Sequence, residues 1–331
     1  MPNHQIEKRI LGSSGLNISE VGLGCWQLGG DFGPVSEDKA IAIIQQAVDS
    51  GITFFDTADV YGAGVSEAYL GEHLNKLLPE AVIATKYGRW QGTYPDGYSL
   101  IDLTDSIKRA QDRLQRDVID LLQLHCIPKT VLQEGKIFDW LREAQQQGLI
   151  SNFGASVETQ AEAEICLQHS DLSSLQIIFN LLRQKPVESL LTQAQQNDVG
   201  IIVRLPLASG MLSGKFNPQT QFAESDHRNY NKDGEAFSVG ETFSGIAFEK
   251  GLEIVDSIKS RVPEGYSMAQ FAMRWILDHP AVTTIIPGAS GPQQVIQNAQ
   301  VSQLTRIEKQ LHQQLFDYYK SDIEQYIRCE I

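Results

Sequence analysis

The chain has 331 residues, with 27 Lys and Arg against 41 Asp and Glu, a formal charge of −14 at neutral pH. Apolar residues make up 42% and charged residues 21%, the balance of a globular protein long enough to bury a large core without disulfides. The acidic excess argues against nucleic acid and against anionic membranes, which both need a basic surface, and no apolar run approaches the ~20 residues that span a bilayer.

Met1 to Glu20 is polar and has no apolar signal-peptide core. The four cysteines, Cys25, Cys126, Cys166 and Cys329, show no C-x-x-C pair or other metal-ligand spacing. Together these predict reduced thiols in the cytoplasm and no metal site. Asn17-Ile18-Ser19 matches a glycosylation acceptor and, without a secretion signal, is read as chance.

In chain order, Arg9 to Ser19 predicts a β-hairpin: two short apolar segments around a Gly/Ser turn. An alternation follows. Predicted strands are Val21–Gly24, Thr53–Phe55, Val82–Thr85, Val118–Leu124, Ile150–Gly154, Leu175–Phe179, Gly200–Val203 and Thr284–Ile286. Predicted helices begin near Ser36, Ser66, Leu103, Lys136, Glu158, Val187, Ser267 and Gln293. Ser36 precedes two acids in the manner of a cap, and Gly51 ends that helix. Eight strand-plus-helix units predict one α/β domain over residues 1–331, a (β/α)8 TIM barrel with an N-terminal hairpin and an extra C-terminal helix near Thr305–Tyr319. The Asn- and Gly-rich stretch from about Leu205 to Glu264 is too long for a passive connection and reads as a lid.

Barrels of this kind carry their chemistry at the C-terminal strand ends. There the sequence puts Asp56 and Tyr61 after the second strand, Lys86 on the third and His125 on the fourth. Alternation turns His125 and Cys126 to opposite faces, so they are no metal pair. Singly, each residue has a plain reading: a turn Asp, a half-buried Tyr, a surface or Schiff-base Lys, a packed His. Jointly they make a metal-free proton-transfer site, in which a nearby ammonium lowers the Tyr pKa and His orients a substrate oxygen. Such a site lacks a hydride, so reduction needs a cofactor.

Phe55-Asp56-Thr57-Ala58-Asp59-Val60-Tyr61-Gly62, Thr85-Lys86 and Leu124-His125 together resemble the aldo-keto reductase family over nearly the whole chain. Tyr61 follows Asp56 by five residues, Lys86 follows Tyr61 by 25 and His125 follows Lys86 by 39. The resemblance implies carbonyl–alcohol interconversion with small aldehydes, ketones or sugars, Tyr61 as general acid/base, Lys86 and Asp56 as its support, and His125 orienting the carbonyl. It also implies a nicotinamide cofactor, NADP(H) favoured and NAD(H) as the second option.

Around that cofactor it implies Gly24 and Trp26 at the first strand end, Asp56, and Ser156 and Gln176 at the carboxamide. Val157 stands where the family usually has Asn. Pro206, Leu207, Ser209, Gly210 and Lys215 match a segment that covers the diphosphate, and Arg204 replaces the usual stacking Tyr. Gly288, Ser290, Gln294 and Asn298 match the adenosine end, where relatives that prefer NADP place Arg or Lys at the Ser290 or Gln294 position. Trp26 and Trp90 are read as substrate-pocket walls, and Asp226-His227-Arg228 as a solvated charged stretch. Two other functions stay open: a cofactor-binding regulatory protein with little turnover, and a Schiff-base aldolase using Lys86. Oligomeric state is not legible.

Overall fold

Ile119 to His125 shows how the apolar runs become strands: the segment is extended between two parallel neighbours, and every residue but Asp120 is buried. The computed structural model describes residues 6–30, 32–33 and 35–331. Its hairpin is β1 (Lys8–Ile10) and β2 (Asn17–Ser19), paired antiparallel. Eight parallel strands follow in sequence order: β3 (Leu23–Gly24), β4 (Phe54–Asp56), β5 (Val82–Tyr87), β6 (Ile119–His125), β7 (Ile150–Ser156), β8 (Ser174–Ile178), β9 (Gly200–Arg204) and β10 (Val282–Ile285). A parallel bridge from Val21 to Ile285 joins the first unit to the last, with the Gly22 N–H donating to the Ile285 carbonyl at 2.8 Å. That is a (β/α)8 barrel.

Phe54, Ala84, Leu121, Ile202 and Ile286 form an inner cluster, and Leu11 and Ile18 of the hairpin segment pack against it. The hairpin therefore closes the end of the barrel opposite the strand C-termini. A larger apolar layer joins the outer strand faces to the helices. Those helices span Glu37–Asp49, Val65–Tyr69, Leu100–Leu114, Lys136–Gln146, Gln160–Cys166, Leu190–Gln196, Met268–Leu277 and Pro292–Ala299. Several starts are fixed by caps. Ser99 accepts from the Asp102 N–H, and Thr159 and Ser267 each form a reciprocal capping box. Ser36, by contrast, makes no capping bond, so acids near the helix start favour that terminus without its hydroxyl. The helix expected near Val187 begins at Leu190, because Lys185–Glu188 forms a 3-10 turn around Pro186.

The stretch 205–264 is more ordered than a loop. It contains an amphipathic helix, Phe248–Lys259, and a ring cluster of Phe216, Phe222, Phe243 and Phe248 with centroids 5.3–6.5 Å apart. The sequence reading missed that helix because polar and Gly-rich residues surround it. The C-terminal tail straps this lid: the Arg328 side chain donates to the Gly245 carbonyl at 2.9 Å and pairs with Asp233 at 2.7 Å. The extra helix spans Lys309–Tyr318. No helix among the described residues is long and apolar enough to cross a membrane.

Candidate active site

A cavity of about 300 Å³ opens at the C-terminal ends of the strands. β4 ends in Asp56, and the chain turns through Val60 to Tyr61, with Gly62 at φ +59. A side chain at Gly62 would also meet the Gly29 backbone at 2.8 Å, so the turn that presents Tyr61 needs glycine. Lys86 lies on β5 behind the cavity wall. Its Nζ donates to Asp56 Oδ1 at 2.5 Å, to the Thr57 carbonyl at 2.7 Å and to the Tyr61 hydroxyl at 3.4 Å. Asp56 Oδ2 accepts from Gln123 at 3.0 Å and Gln176 at 2.7 Å. His125 ends β6, edge-on to Tyr61 with ring centroids 5.9 Å apart. The four residues singled out from the sequence thus converge, three on the cavity wall and Lys86 just beneath it.

Electrostatics differ from the sequence expectation at Tyr61. Burial pushes its hydroxyl up to about 12; Lys86 opposes this but does not prevail, since Asp56 and Glu241 add to the rise. Tyr61 is therefore an acid in its protonated form at neutral pH. Burial alone would lower the Lys86 pKa, yet Asp56 and Tyr61 raise it above the ordinary value. The ammonium is thus charged at neutral pH. Burial, then Arg89, Lys86 and Arg204, hold His125 well below its usual pKa, so the imidazole is neutral.

The remaining predicted positions divide. Gly24, Trp26, Ser156, Gln176, Arg204, Pro206, Leu207, Ser209, Gly210, Lys215, Gly288, Ser290 and Gln294 line the same cavity. Asn298 does not; its amide donates to the Gly288 carbonyl at 3.3 Å and braces that loop from behind. Trp90 is also absent from the wall, half-buried in a turn whose carbonyl accepts from Thr93 and Tyr94. Arg204 does not project freely. Its guanidinium reaches Glu241 at 3.3 Å, the Val157 carbonyl at 3.2 Å and Cys126 Sγ at 3.5 Å.

The lid corrects two further expectations. Asp226 and His227 are buried rather than solvated, and His227 packs on Trp26 with centroids 4.8 Å apart. Arg228 lines the cavity, paired with Asp226 at 2.5 Å. Cys126 lines it too, because φ +46 takes it out of strand alternation just past β6. Phe32, Phe216 and Glu241 also line the wall and carried no sequence motif.

The chamber suits an elongated anionic dinucleotide. Leu205, Ala208, Ser209 and Gly210 all have positive φ, and the tight turns they make place Leu205, Leu207, Ser209 and Gly210 on the cavity lining. Gly24 permits close approach, since a Cβ there would lie 2.6 Å from the Ile286 carbonyl oxygen. Of the side chains on the cavity lining, His125 Nδ1 and Arg204 Nε are buried with no hydrogen-bond partner among the described residues. At the adenosine end Gln294 Oε1 accepts from both the N–H and hydroxyl of Ser290, at 2.6 and 2.8 Å.

Asp59, just before Tyr61, is buried as well. Burial and then the Glu67 charge push its carboxyl up to about 7, against the Val60 N–H and Arg113. The folded state thus binds a proton that the unfolded chain releases near ~3.9. Stability is full below that value and is lost as pH rises to about 7. Denaturation at acid and at alkaline pH should show wild type losing more stability than Asp59→Asn, by roughly a few kcal/mol; parallel losses would refute the shift.

Comparison with known proteins shows the family. The aldo/keto reductase family model matches residues 20–318. An uncharacterized oxidoreductase of Bacillus subtilis, YqkF, is 30% identical, covering 96% of this chain and 98% of its own. Among solved structures, aldo-keto reductase AKR11C1 from Bacillus halodurans, in its holo form, superposes with TM-score 0.77 at 26% identity, covering 95% and 96% of the two chains. Glycerol dehydrogenase AKR11B4 from Gluconobacter oxydans gives 0.75 at 27% identity, covering 100% and 98%. The chain belongs to the aldo/keto reductase family.

Proposed function

We propose that the protein is an NADP(H)-dependent oxidoreductase that interconverts small aldehydes or ketones and alcohols, with Tyr61 as the general acid/base. One observation carries the reading: a single charged ammonium, Lys86, binds both Asp56 and the Tyr61 hydroxyl just behind the wall of the cavity at the strand C-termini.

The cofactor, when bound, supplies or accepts the hydride. Ser156 would hold its carboxamide end, the Leu205–Lys215 turn its diphosphate, and Gly288, Ser290 and Gln294 its adenosine end. Arg228 faces the cavity from the lid, its charge shared with Asp226. Gln176 faces the same region, but its amide N–H group is already used by Asp56. Neutral His125 hydrogen-bonds the substrate oxygen and orients it. Tyr61 then gives that oxygen its proton, and the phenolate left behind is stabilised by Lys86, whose charge Asp56 fixes in place. In the oxidative direction the same phenolate takes the proton back.

The Schiff-base alternative fares poorly: Lys86 stays charged, carries three acceptors and is not on the cavity wall. A regulatory protein without turnover would bind NADPH yet fail the following test. A screen over small aldehydes, ketones and aldoses with NADPH and NADH, followed by absorbance, should show turnover of at least one carbonyl class. Tight NADPH binding with no turnover anywhere would overturn the enzymatic reading. Deleting Phe222–Gly240, which removes Arg228 and the His227 contact with Trp26, should weaken NADPH binding measured by fluorescence quenching. Unchanged affinity would remove the lid from the cofactor's contacts.

A further inference from the structure

Tyr61, Lys86 and His125 all keep one charge state near neutral pH: Tyr61 holds its proton up to about 12, Lys86 stays charged and His125 stays neutral. A buried acid beside them is different. Asp59 lies two residues before Tyr61, in the turn that leaves β4, and it is 2% exposed. Neither of its carboxyl oxygens has a hydrogen-bond partner among the described residues. A charged carboxylate without donors is costly in such a place, and a neutral carboxyl is far less so.

Charge balance sharpens the point. The charged groups that act on Asp59 are Glu67 on the Val65–Tyr69 helix, Arg113 on the Leu100–Leu114 helix and Lys86 on β5. Each of them already has its counter-charge. Arg113 Nε donates to Glu67 Oε2 at 2.6 Å, and Lys86 Nζ donates to Asp56 Oδ1 at 2.5 Å. The two cations thus answer Glu67 and Asp56, and neither is left for Asp59. Burial, then Glu67, accordingly push the Asp59 carboxyl up to about 7, a range in which Tyr61, Lys86 and His125 do not titrate.

The same cluster supports the general acid. Gly64, which closes the turn after Tyr61, has φ +96, and a Cβ there would lie 2.7 Å from Arg113 Cδ, so the turn rests directly on the arginine stem. On the other side Glu67 accepts from the Thr85 hydroxyl, the residue before Lys86 in β5. An ionised Asp59 attracts Arg113 and repels Glu67. Either movement reaches Tyr61, through Gly64 or through Thr85 and Lys86. The added negative charge also disfavours the phenolate, which makes Tyr61 a weaker acid.

We propose that Asp59 is a positioning residue for the general acid: protonated, it leaves the Tyr61 turn seated on the Glu67–Arg113 pair, and ionised, it unsettles that seat, so that carbonyl reduction slows as the solution becomes alkaline. This rests on the carbonyl–alcohol reading above.

The test follows single-turnover reduction of benzaldehyde by NADPH between acid and alkaline pH in the wild type, Asp59→Asn and Glu67→Gln. Benzaldehyde has no acidic hydrogen, and any titration of the cofactor is common to all three proteins, so differences between their profiles belong to the cluster. The wild type should slow by roughly 3- to 10-fold on the alkaline side, with its midpoint at about 7. Asp59→Asn is neutral throughout, so the ratio of its acid and alkaline rates should stay close to one. Glu67→Gln removes the repelling charge and frees Arg113 for Asp59, so its midpoint should move to lower pH, a shift that a merely structural role would not produce. NADPH binding by fluorescence quenching verifies that each variant is folded at both ends of the range. Should Asp59→Asn fail to fold, the direction of the Glu67→Gln shift decides. A flat wild-type profile, an equal fall in folded Asp59→Asn, or an unmoved midpoint in Glu67→Gln overturns the proposal while leaving the reductase reading intact. No reduction by NADPH-bound wild type at any pH would sink both.

Discussion

Tyr61→Phe is expected to lower carbonyl reduction by roughly 10²- to 10⁴-fold while cofactor binding persists. The substitution removes one oxygen atom and keeps the ring that packs parallel to Trp26, with centroids 6.0 Å apart. The cavity wall therefore keeps its shape. What is lost is the proton donor, and no other group can replace it: His125 is neutral and Lys86 sits behind the wall. Single-turnover absorbance decay with NADPH separates the loss of chemistry from any loss of binding. Near-normal turnover would move the acid role away from Tyr61.

A larger structural penalty is expected from Lys86→Met. Methionine fills the space of the lysine stem but leaves the buried Asp56 carboxylate without its counter-charge. Removing one partner of a buried ion pair costs about 3–5 kcal/mol, because the other is left charged and dry. Gln123 and Gln176 still donate to Asp56 Oδ2, which limits the loss. The double variant Asp56→Asn/Lys86→Met should recover much of the stability and none of the activity. Urea unfolding measures the first, and the coupled assay the second. If the single variant is as stable as wild type, the pair serves chemistry alone.

The strands and the four residues that converge at the cavity were legible because each depends on local pattern. A buried strand reads as an apolar run, and its last residue points to the barrel mouth whatever the rest of the chain does. Leu121, Gln123 and His125 alternate as expected, and Gln123 duly reaches Asp56. Glu241, Phe216 and Phe32 were not legible, since a loop side chain reaches the cavity only through tertiary packing that no local period encodes. Cys126 misled for a sharper reason: one residue of left-handed backbone just past β6 cancels strand alternation. The Asp226–Arg228 stretch looked solvated by composition, but pairing between Asp226 and Arg228 offsets part of the cost of burying the Asp226 charge. The direction of the Tyr61 shift could not be read either, because burial competes there with the lysine and only the packed structure shows which prevails.

The bridge between Val21 and Ile285 joins segments from opposite ends of the chain, and such a junction forms late in folding because a long loop must close first. Gly24 and Gly288 lie on either side of it, and both face the groove. A dinucleotide seated there would span the seam, binding the closed ring and having nothing to grip when it parts. Occupancy then acts as a rivet, slowing amide hydrogen exchange at Gly22, Gly24 and Ile285 more than in the middle strands. The join between the two ends of the chain and the groove proposed for the cofactor share one line of backbone.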